Sequence, residues 1–480
     1  MKEGENMAEK FENIVVGAGF AGLTCAGYLA KSGQRTLLLE KGSVIGGRAA
    51  AHPANGYNVV MHLPLIMTSL NGGGGYGWAN AAKDFGADIK LHFSREPRLY
   101  LNGVEDPYMT IPKCITTEAA VDWMESFLKK ARPDLWSNSC KSELYPMVDE
   151  ILHKPFKEMC EEWDEVSVKD WVQSRSMDKG IEYVFTSLMA CFCWTADAEF
   201  TWNYGSAAKG FVMLRIWIGN QGAMSVAIPD LQHGICEPIA EAITTNFGCD
   251  IRTNSEVIKV IIEDNRAVGV EIKDGNGTIK RIEANRVILA TTWLDYLKLL
   301  ETVPPTLLET MKAPLQQKMG GIFLTYQLNN SISLDGAFTL FINPKTGSSI
   351  QGGCAQNIEQ PWNVPEGKQL IWAYSVRSDA DFNRLGLEGI AAEVTQNMEL
   401  LYPGFNRALE STSPVKGASY PSHYRFSSLP KIRQKSPDVD GLFFAGECTW
   451  PMYGQITDGT ASTGANVAKL ILETDELAGV

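Results

Sequence analysis

The feature that most constrains this chain is a strand–turn–helix pattern close to its start. Apolar residues 13–16 predict a short buried strand, and residues 17–22 then read Gly-Ala-Gly-Phe-Ala-Gly. From residue 20 to residue 32 the apolar side chains recur at helical spacing, and residues 36–39 predict a second buried strand. Together these segments predict one βαβ unit with a glycine-rich turn at the start of its helix.

The glycines of this turn have the spacing that a dinucleotide requires. Gly17 permits a tight turn, Gly19 lets the backbone approach a pyrophosphate, and Gly22 lets the helix pack close to the strand. The backbone at Phe20 and Ala21 begins the helix, where free N–H groups and the positive end of the helix dipole favour phosphate. The alternative is a glycine-rich turn that binds no ligand.

An acidic residue completes the pattern at the end of the second predicted strand. Glu40 can accept hydrogen bonds from the hydroxyls of an adenosine ribose, and we assign the adjacent Lys41 to the same site. This pattern predicts a dinucleotide but does not distinguish NAD from FAD.

A second motif, Gly46-Gly47-Arg48, follows shortly after Glu40. It resembles the motif of the flavoprotein superfamily that includes flavin amine oxidases and phytoene desaturases. The resemblance implies FAD, with Gly47 and Arg48 against its phosphates. An arginine fork can neutralise a pyrophosphate, and glycine permits close contact. The alternative is a turn whose arginine is solvated.

The C-terminal segment, residues 441–468, resembles the flavin motif of the same superfamily. The resemblance implies that Glu447, after Gly446, binds the ribityl chain. It also implies that the segment containing Gln455 and Ile456 passes beside the isoalloxazine ring. Val257 resembles the residue whose backbone contacts adenine in the superfamily.

The order of these motifs predicts the fold class, α/β, and a discontinuous architecture. We expect a Rossmann-type FAD-binding domain built from residues 1–70, 236–300 and 430–480. The remaining residues, 71–235 and 301–429, are expected to form an α+β substrate-binding domain. Residues 118–230 are rich in Trp, Phe and Met and favour helices with apolar faces.

Candidate catalytic residues come from departures from the superfamily pattern. By position, His62 would approach the flavin, where a histidine can donate or accept a proton near neutral pH. Tyr453 is the second candidate, although both residues could equally be structural. The lysine that flavin amine oxidases often carry near N5 aligns with Gly321, and Lys318 is the nearest lysine to that position.

Trp450 and Tyr453 flank the expected flavin segment. In amine oxidases an aromatic pair encloses the substrate amine, since a ring face attracts a cation. Here the two side chains could equally be hydrophobic walls.

Composition excludes several classes of protein. The net charge of −13 argues against a nucleic-acid partner, because phosphate binding needs clustered Lys and Arg. The six histidines lack metal-ligand spacing, so no metal site is expected. The ten cysteines form no CxxC pair and fit a reducing cytoplasm. The chain shows neither a secretory signal nor an apolar run of the roughly 18 residues that a membrane span needs, so we expect a cytoplasmic protein.

Four functions are compatible with these observations. The leading one is an FAD-dependent oxidoreductase, a desaturase or saturase, acting on a small hydrophobic substrate of isoprenoid or polyene type. The alternatives are a flavin amine oxidase, a flavin-dependent double-bond isomerase, and a non-enzymatic prenyl-binding chaperone resembling the GDP-dissociation inhibitors. The sequence contains no second GxGxxG motif that would predict an NAD(P)H-binding domain. The identity of the electron donor or acceptor is therefore open. Peripheral membrane contact and a homodimer are also open.

Overall fold

A computed structural model gives the fold. It describes residues 9–54, 56–60, 65–67, 77–93, 97–112, 114, 116–192, 198–219, 224–227, 230–316, 319–332, 339–345, 349–350, 353–355, 363–420, 431–450 and 456–478. Among these residues, none of the helices combines the length and the apolarity that a membrane span requires.

The strands of the described residues, in chain order, are β1 (Lys10–Val16), β2 (Thr36–Leu39), β3 (Ala51–Ala54), β4 (Tyr57–Val60), β5 (Leu65–Met67), β6 (Leu91–Phe93), β7 (Arg98–Leu101), β8 (Tyr108–Thr110), β9 (Met224–Ala227), β10 (Asp250–Arg252), β11 (Ser255–Glu263), β12 (Arg266–Asp274), β13 (Ile279–Leu289), β14 (Met319–Leu328), β15 (Thr339–Ile342), β16 (Ser349–Ile350), β17 (Gly353–Ala355), β18 (Gln369–Ser378), β19 (Leu409–Tyr420), β20 (Ile432–Arg433), β21 (Leu442–Phe444) and β22 (Thr449–Trp450).

The α-helices of the described residues are α1 (Phe20–Lys31), α2 (Trp78–Phe85), α3 (Thr117–Ala131), α4 (Cys140–His153), α5 (Phe156–Trp163), α6 (Val168–Gln173), α7 (Lys179–Phe192), α8 (Ala198–Tyr204), α9 (Ala207–Leu214), α10 (Glu237–Phe247), α11 (Trp293–Leu299), α12 (Pro305–Gln316), α13 (Asp379–Gln396), α14 (Met398–Leu401), α15 (Phe405–Ala408) and α16 (Ile456–Ala478). Helix α13 is kinked at Gly386, which has a φ of 68°.

A seven-stranded sheet contains the predicted βαβ unit. Its order is β10-β2-β1-β13-β12-β11, and β21 pairs with the end of β13. The pairs from β10 through β13 to β21 are parallel, whereas β12 is antiparallel to both of its neighbours, β11 and β13. Strands β1 and β2 are buried on both faces, as their continuous apolar runs predict.

Helices cover both faces of this sheet. Val15 faces one apolar cluster with α1, α2, α10 and α16, whereas Ile14 and Val16 face another with α11 and α12. Helices α1 and α16 are in close contact, because a Cβ added at Gly464 would lie 2.1 Å from the carbonyl oxygen of Ala21. This packing brings the C-terminal segment of the chain against the glycine-rich turn at its start.

Strand β13 corrects one prediction. Residues 278–282 and 286–290 indicated two strands, but residues 279–289 form one. The polar residues between the two apolar runs remain in the ladder, since Glu283 pairs with Lys10 on β1 and with Gly269 on β12. Backbone pairing on both edges continues where the side-chain pattern stops.

A second, four-stranded sheet has the order β17-β18-β14-β19. One face of it, with Leu324 and Ile371, packs against α13. The other face, with Phe323, Trp372 and Tyr374, belongs to a large apolar cluster that includes residues of helices α3 to α9. These helices confirm that residues 118–230 are mainly helical where they are described. The domain boundaries stay a prediction.

Candidate functional site

A cavity of about 520 Å³ lies where the three predicted cofactor motifs meet. Its lining includes almost every described residue that the sequence assigned to the cofactor, namely Gly17, Gly19, Phe20, Ala21, Glu40, Lys41, Gly47, Arg48, Val257, Gly446 and Glu447. The exceptions are Gly22, which packs behind the turn, and Ile456, which begins α16. Residues widely separated in sequence therefore form one site.

The glycine-rich turn adopts the predicted geometry. Gly17 has a φ of +101°, and a Cβ there would lie 2.9 Å from the carbonyl oxygen of Ala290. A Cβ at Gly22 would lie 1.8 Å from the carbonyl oxygen of Gly17. A Cβ at Gly19, in contrast, would meet no atom within 4 Å. Two glycines are thus required by packing, and the third presents open backbone to the cavity.

The start of helix α1 suits an anion. Its N-cap residue is Gly19, which offers no side-chain cap, and no acidic residue lies in the first turn. The first N–H groups of a helix have no partner within it, and the dipole places partial positive charge there. A phosphate group in the cavity would satisfy both requirements.

Glu40 is held at the cavity by two backbone N–H groups, one from the glycine-rich turn and one from its own loop. One carboxylate oxygen accepts a hydrogen bond from the backbone N–H of Ala18 at 2.9 Å, and the other from that of Gly42 at 2.8 Å. Each carboxylate oxygen has two lone pairs, so capacity remains for a ribose hydroxyl. These two bonds hold the carboxylate at the cavity, where it could still accept a hydrogen bond from a ribose hydroxyl.

The Gly46-Gly47-Arg48 motif lies directly on the glycine-rich turn. The backbone N–H of Gly46 donates to the carbonyl oxygen of Ala18 at 2.8 Å, and a Cβ at Gly47 would lie 3.4 Å from the Cα of Gly19. Arg48 extends from here to the C-terminal motif, where its Nη2 lies 2.7 Å from Oε2 of Glu447. The guanidinium thus faces the cavity with an acidic partner.

Two residues position Gly446 without being evident from the sequence. The Oγ1 of Thr463, on α16, accepts a hydrogen bond from the N–H of Gly446 at 2.8 Å. The buried hydroxyl of Tyr296 lies 3.1 Å from the carbonyl oxygen of Ala445. Burial raises the pKa of Tyr296 well above its ordinary value, so the phenol stays protonated. Only the folded chain brings these residues together, and no local motif marks them.

Several predicted site residues lie outside the described residues: His62, Lys318, Tyr453 and Gln455. Their assigned roles therefore stay predictions. Asp458 lies in the first turn of α16, which begins at Ile456. There it contacts Gly77, at the start of α2.

The residues at this cavity fit FAD. Gly19 presents open backbone to the cavity and Gly47 packs on it, Arg48 supplies a guanidinium, and Glu40 keeps acceptor capacity for a ribose hydroxyl. The residues that line it come from the beginning, the middle and the end of the chain, in the same order as the predicted motifs.

Comparisons with known proteins agree with this geometry. The sequence model of the family described as flavin containing amine oxidoreductase matches residues 20–472. The 15-cis-phytoene desaturase of Capsicum annuum is 23% identical over 493 residues, covering 97% of this chain and 78% of that protein.

Solved structures show the same fold at low identity. An oxidoreductase from Methanosarcina mazei superimposes with a TM-score of 0.70 at 16% identity, covering 96% of this chain and 100% of the other. A putrescine oxidase with bound putrescine gives a TM-score of 0.60 at 16% identity, covering 97% and 99%. The chain therefore belongs to the flavin containing amine oxidoreductase family and is an FAD-dependent oxidoreductase.

Proposed function

We propose that this enzyme moves a hydride between a carbon of a hydrophobic, unsaturated substrate and N5 of FAD, as a desaturase or saturase of isoprenoid- or polyene-like molecules. The observation that carries the proposal is the position of Tyr374. This buried side chain lines the cofactor cavity and also belongs to the large apolar cluster of the helical region. An apolar substrate held by that region would meet the cofactor at this wall.

Three neighbouring side chains of the wall beside the cavity, Phe323, Trp372 and Tyr374, are aromatic and uncharged. The rings of Phe323 and Tyr374 lie 4.4 Å apart between centroids, and Trp372 and Tyr374 are stacked at 6.0 Å. Such surfaces bind apolar groups and exclude water, which protects hydride transfer from competing reactions. This aromatic wall therefore favours a hydrocarbon substrate.

The proposed cofactor contacts follow the order of the motifs. We propose that Gly17, Gly19 and the start of α1 hold the pyrophosphate, with Arg48 neutralising it. Glu40 would bind the adenosine ribose, Glu447 the ribityl chain, and the backbone of Val257 the adenine. Bound here, FAD supplies a centre that accepts or returns a hydride.

Two observations disfavour an amine substrate. The resemblance aligns the amine oxidase lysine with Gly321, with Lys318 as the nearest lysine, and Gly321 pairs with Val376 on the sheet face that carries Tyr374. The ring of Trp450 already faces two ammonium groups, that of Lys209 at 5.5 Å and that of Lys431 at 5.1 Å from its centroid. A substrate ammonium would compete with these two lysines for the ring of Trp450.

The relatives support a desaturase or saturase but do not decide between it and an amine oxidase. Curated phytoene desaturases match nearly the whole chain, and a putrescine oxidase shares the fold. Amine oxidation is thus the second candidate, and double-bond isomerisation the third. The FAD-fitting cavity counts against the prenyl-binding chaperone. Proton transfer by His62 and Tyr453, peripheral membrane contact and a homodimer remain proposals.

The proposal is tested by mixing FAD-loaded enzyme anaerobically with phytoene in detergent micelles, and separately with putrescine, while the flavin absorbance is recorded. A desaturase predicts bleaching with the polyene alone. For a saturase, photoreduced enzyme would regain its yellow colour on adding a more unsaturated polyene. Bleaching with the amine alone would reject the proposal in favour of amine oxidation.

A further inference from the structure

Helices α2 and α16 begin beside each other, and Asp458 and Gly77 make the contact between them. A Cβ added at Gly77 would lie 1.4 Å from Oδ1 of Asp458, 2.3 Å from its Cγ and 2.8 Å from its Oδ2. Gly77 has a φ of −67° and a ψ of 177°, an extended conformation that any residue can adopt. Glycine is therefore required here by the carboxylate of Asp458 and not by the backbone.

This carboxylate occupies the place of a cap that α2 does not supply itself. Gly77 is the N-cap residue of α2 and has no side chain, and the first turn of the helix contains no acidic residue. The first N–H groups of a helix lack partners within it, and an oxygen at the N-cap side chain can accept from them. Asp458 brings its oxygens to that position from another helix, so its negative charge is favoured by two helix N-termini.

The first turn of α16 also borders the cofactor cavity. Thr457 and Thr460, which lie before and after Asp458, line the cavity. Successive residues of an α-helix are turned by about 100° from one another, so Asp458 points away from the face that carries the two threonines. Its carboxylate therefore lies behind the cavity wall, between α16 and α2.

Helix α2 gives this contact a fixed support. Its residues Trp78, Ala81, Ala82 and Phe85 are buried in the apolar cluster that also contains residues of α1 and α16. The packing on α1 is close, because a Cβ added at Gly27 would lie 2.5 Å from the ring of Phe85. The contact with α2 thus holds the first turn of α16 relative to α1, which begins at the glycine-rich turn.

We propose that Asp458 is a positioning residue for the cofactor, which fixes the first turn of α16 at the cavity and lowers the reduction potential of bound FAD. The start of α16 places partial positive charge at the cavity, and positive charge favours the electron-rich, reduced flavin. The carboxylate behind this turn offsets that charge and so favours the oxidised flavin. The inference requires only that FAD binds here, whichever substrate the enzyme oxidises or reduces.

The reduction potential of the FAD-loaded enzyme tests the proposal, measured anaerobically against reference dyes. Asp458→Asn keeps the size of the side chain and removes its charge. We expect the ratio of reduced to oxidised flavin at a given potential to rise about tenfold, a shift of about +30 mV for a two-electron couple. FAD affinity should change little, because the amide still fills the space beside Gly77.

A matched control removes another acid from the same helix. Glu473, whose side chain is 57% exposed on α16, serves this purpose as Glu473→Gln, which should leave the potential unchanged. Asp458→Ser provides a second neutral variant if Asp458→Asn does not fold. An unchanged potential in the folded neutral variant, or an equal shift in Glu473→Gln, would overturn the proposal.

A double variant separates this role from simple helix capping. In Gly77→Ser/Asp458→Ala, α2 gains its own capping hydroxyl and the carboxylate from α16 is removed. The melting temperature of the FAD-loaded protein, lowered in Asp458→Ala, should recover, whereas the reduction potential should stay raised. Return of both to the values of the unmodified protein would show that Asp458 only caps α2. None of these measurements uses a substrate, so their failure is distinct from failure of the proposed function.

Discussion

Arg48 and Glu447, 399 positions apart in the chain, form an ion pair with 2.7 Å between Nη2 and Oε2. Their side chains are 38% and 15% exposed, so the pair lies at the cavity edge and not in the core. It joins the motif after the first βαβ unit to the C-terminal flavin motif. The pair holds the arginine at the place where the cofactor's negative charge is expected.

Arg48→Ala should weaken FAD binding, because it removes the guanidinium that would face the pyrophosphate and leaves Glu447 without its partner. Loss of a charge-assisted hydrogen bond costs about 1.5–3 kcal/mol, or roughly 10- to 100-fold in affinity. Fluorescence titration of apoprotein with FAD measures this change. Arg48→Lys keeps one positive charge and should give an intermediate affinity, and full flavin occupancy in Arg48→Ala would argue against the assignment.

Gly19 and Gly22 should respond differently to replacement by alanine. In Gly19→Ala the new methyl group projects into open space, so the apoprotein should melt at its normal temperature but bind FAD weakly. In Gly22→Ala it collides with the carbonyl oxygen of Gly17, so both stability and FAD binding should fall. Thermal melting with and without FAD distinguishes the two. Normal FAD affinity in Gly19→Ala would contradict the pyrophosphate assignment.

His62→Ala should slow turnover and leave the visible spectrum of the bound flavin unchanged, since the proposal gives His62 a role in proton transfer and none in holding the cofactor. Its pH–rate profile should lose one limb relative to the unmodified enzyme. Steady-state rates with the identified substrate across pH provide the measurement, and an unchanged rate removes His62 from the mechanism.

Asp178 should make the enzyme's stability sensitive to acid. Its Oδ1 accepts hydrogen bonds from the backbone N–H groups of Gly180 and Ile181 at the start of α7. Burial raises the pKa of this carboxyl, but these hydrogen bonds, with those from Cys140 and Ser137, leave its pKa below the ordinary value.

The stabilisation from Asp178 is therefore complete above the ordinary aspartate pKa of about 3.9 and is lost as pH falls through the lower folded value. Asp178→Ala should cost about 1 kcal/mol at neutral pH, the usual value of a helix cap. Denaturant unfolding of both proteins across pH tests this, with Asp178→Asn as the control that keeps an acceptor. If the difference in unfolding free energy between the unmodified protein and Asp178→Ala does not shrink in acid, the charge of Asp178 does not contribute to stability.

The sequence predicted the parts of the site that depend on local geometry. The turn at Gly17 and the position of Glu40 follow from one short segment, in which backbone conformation and strand order determine the outcome. Arg48 could be recognised from its motif, but its pairing with Glu447 joins two segments 399 positions apart. Nothing near Tyr296 or Thr463 indicates that they hold Gly446, because their partners are distant along the chain.

Lys209 is another residue whose surroundings could not be predicted from the sequence. In the sequence it is one lysine among apolar residues, in a region predicted to be helical, and a lysine at such a point would ordinarily face solvent. Its burial results from the packing of α9 against other helices and from the approach of Trp450 from the C-terminal segment. Long-range packing, which no local pattern encodes, therefore determines the burial of this side chain.

The most direct test of the central claim is the rate at which photoreduced, FAD-loaded enzyme regains its yellow colour when air is admitted. A desaturase or saturase whose flavin lies behind an apolar, aromatic wall should reoxidise slowly, over many minutes, and faster when a quinone or other lipophilic acceptor is added. Reoxidation within seconds in air alone would contradict the account and would favour an oxidase acting on amines.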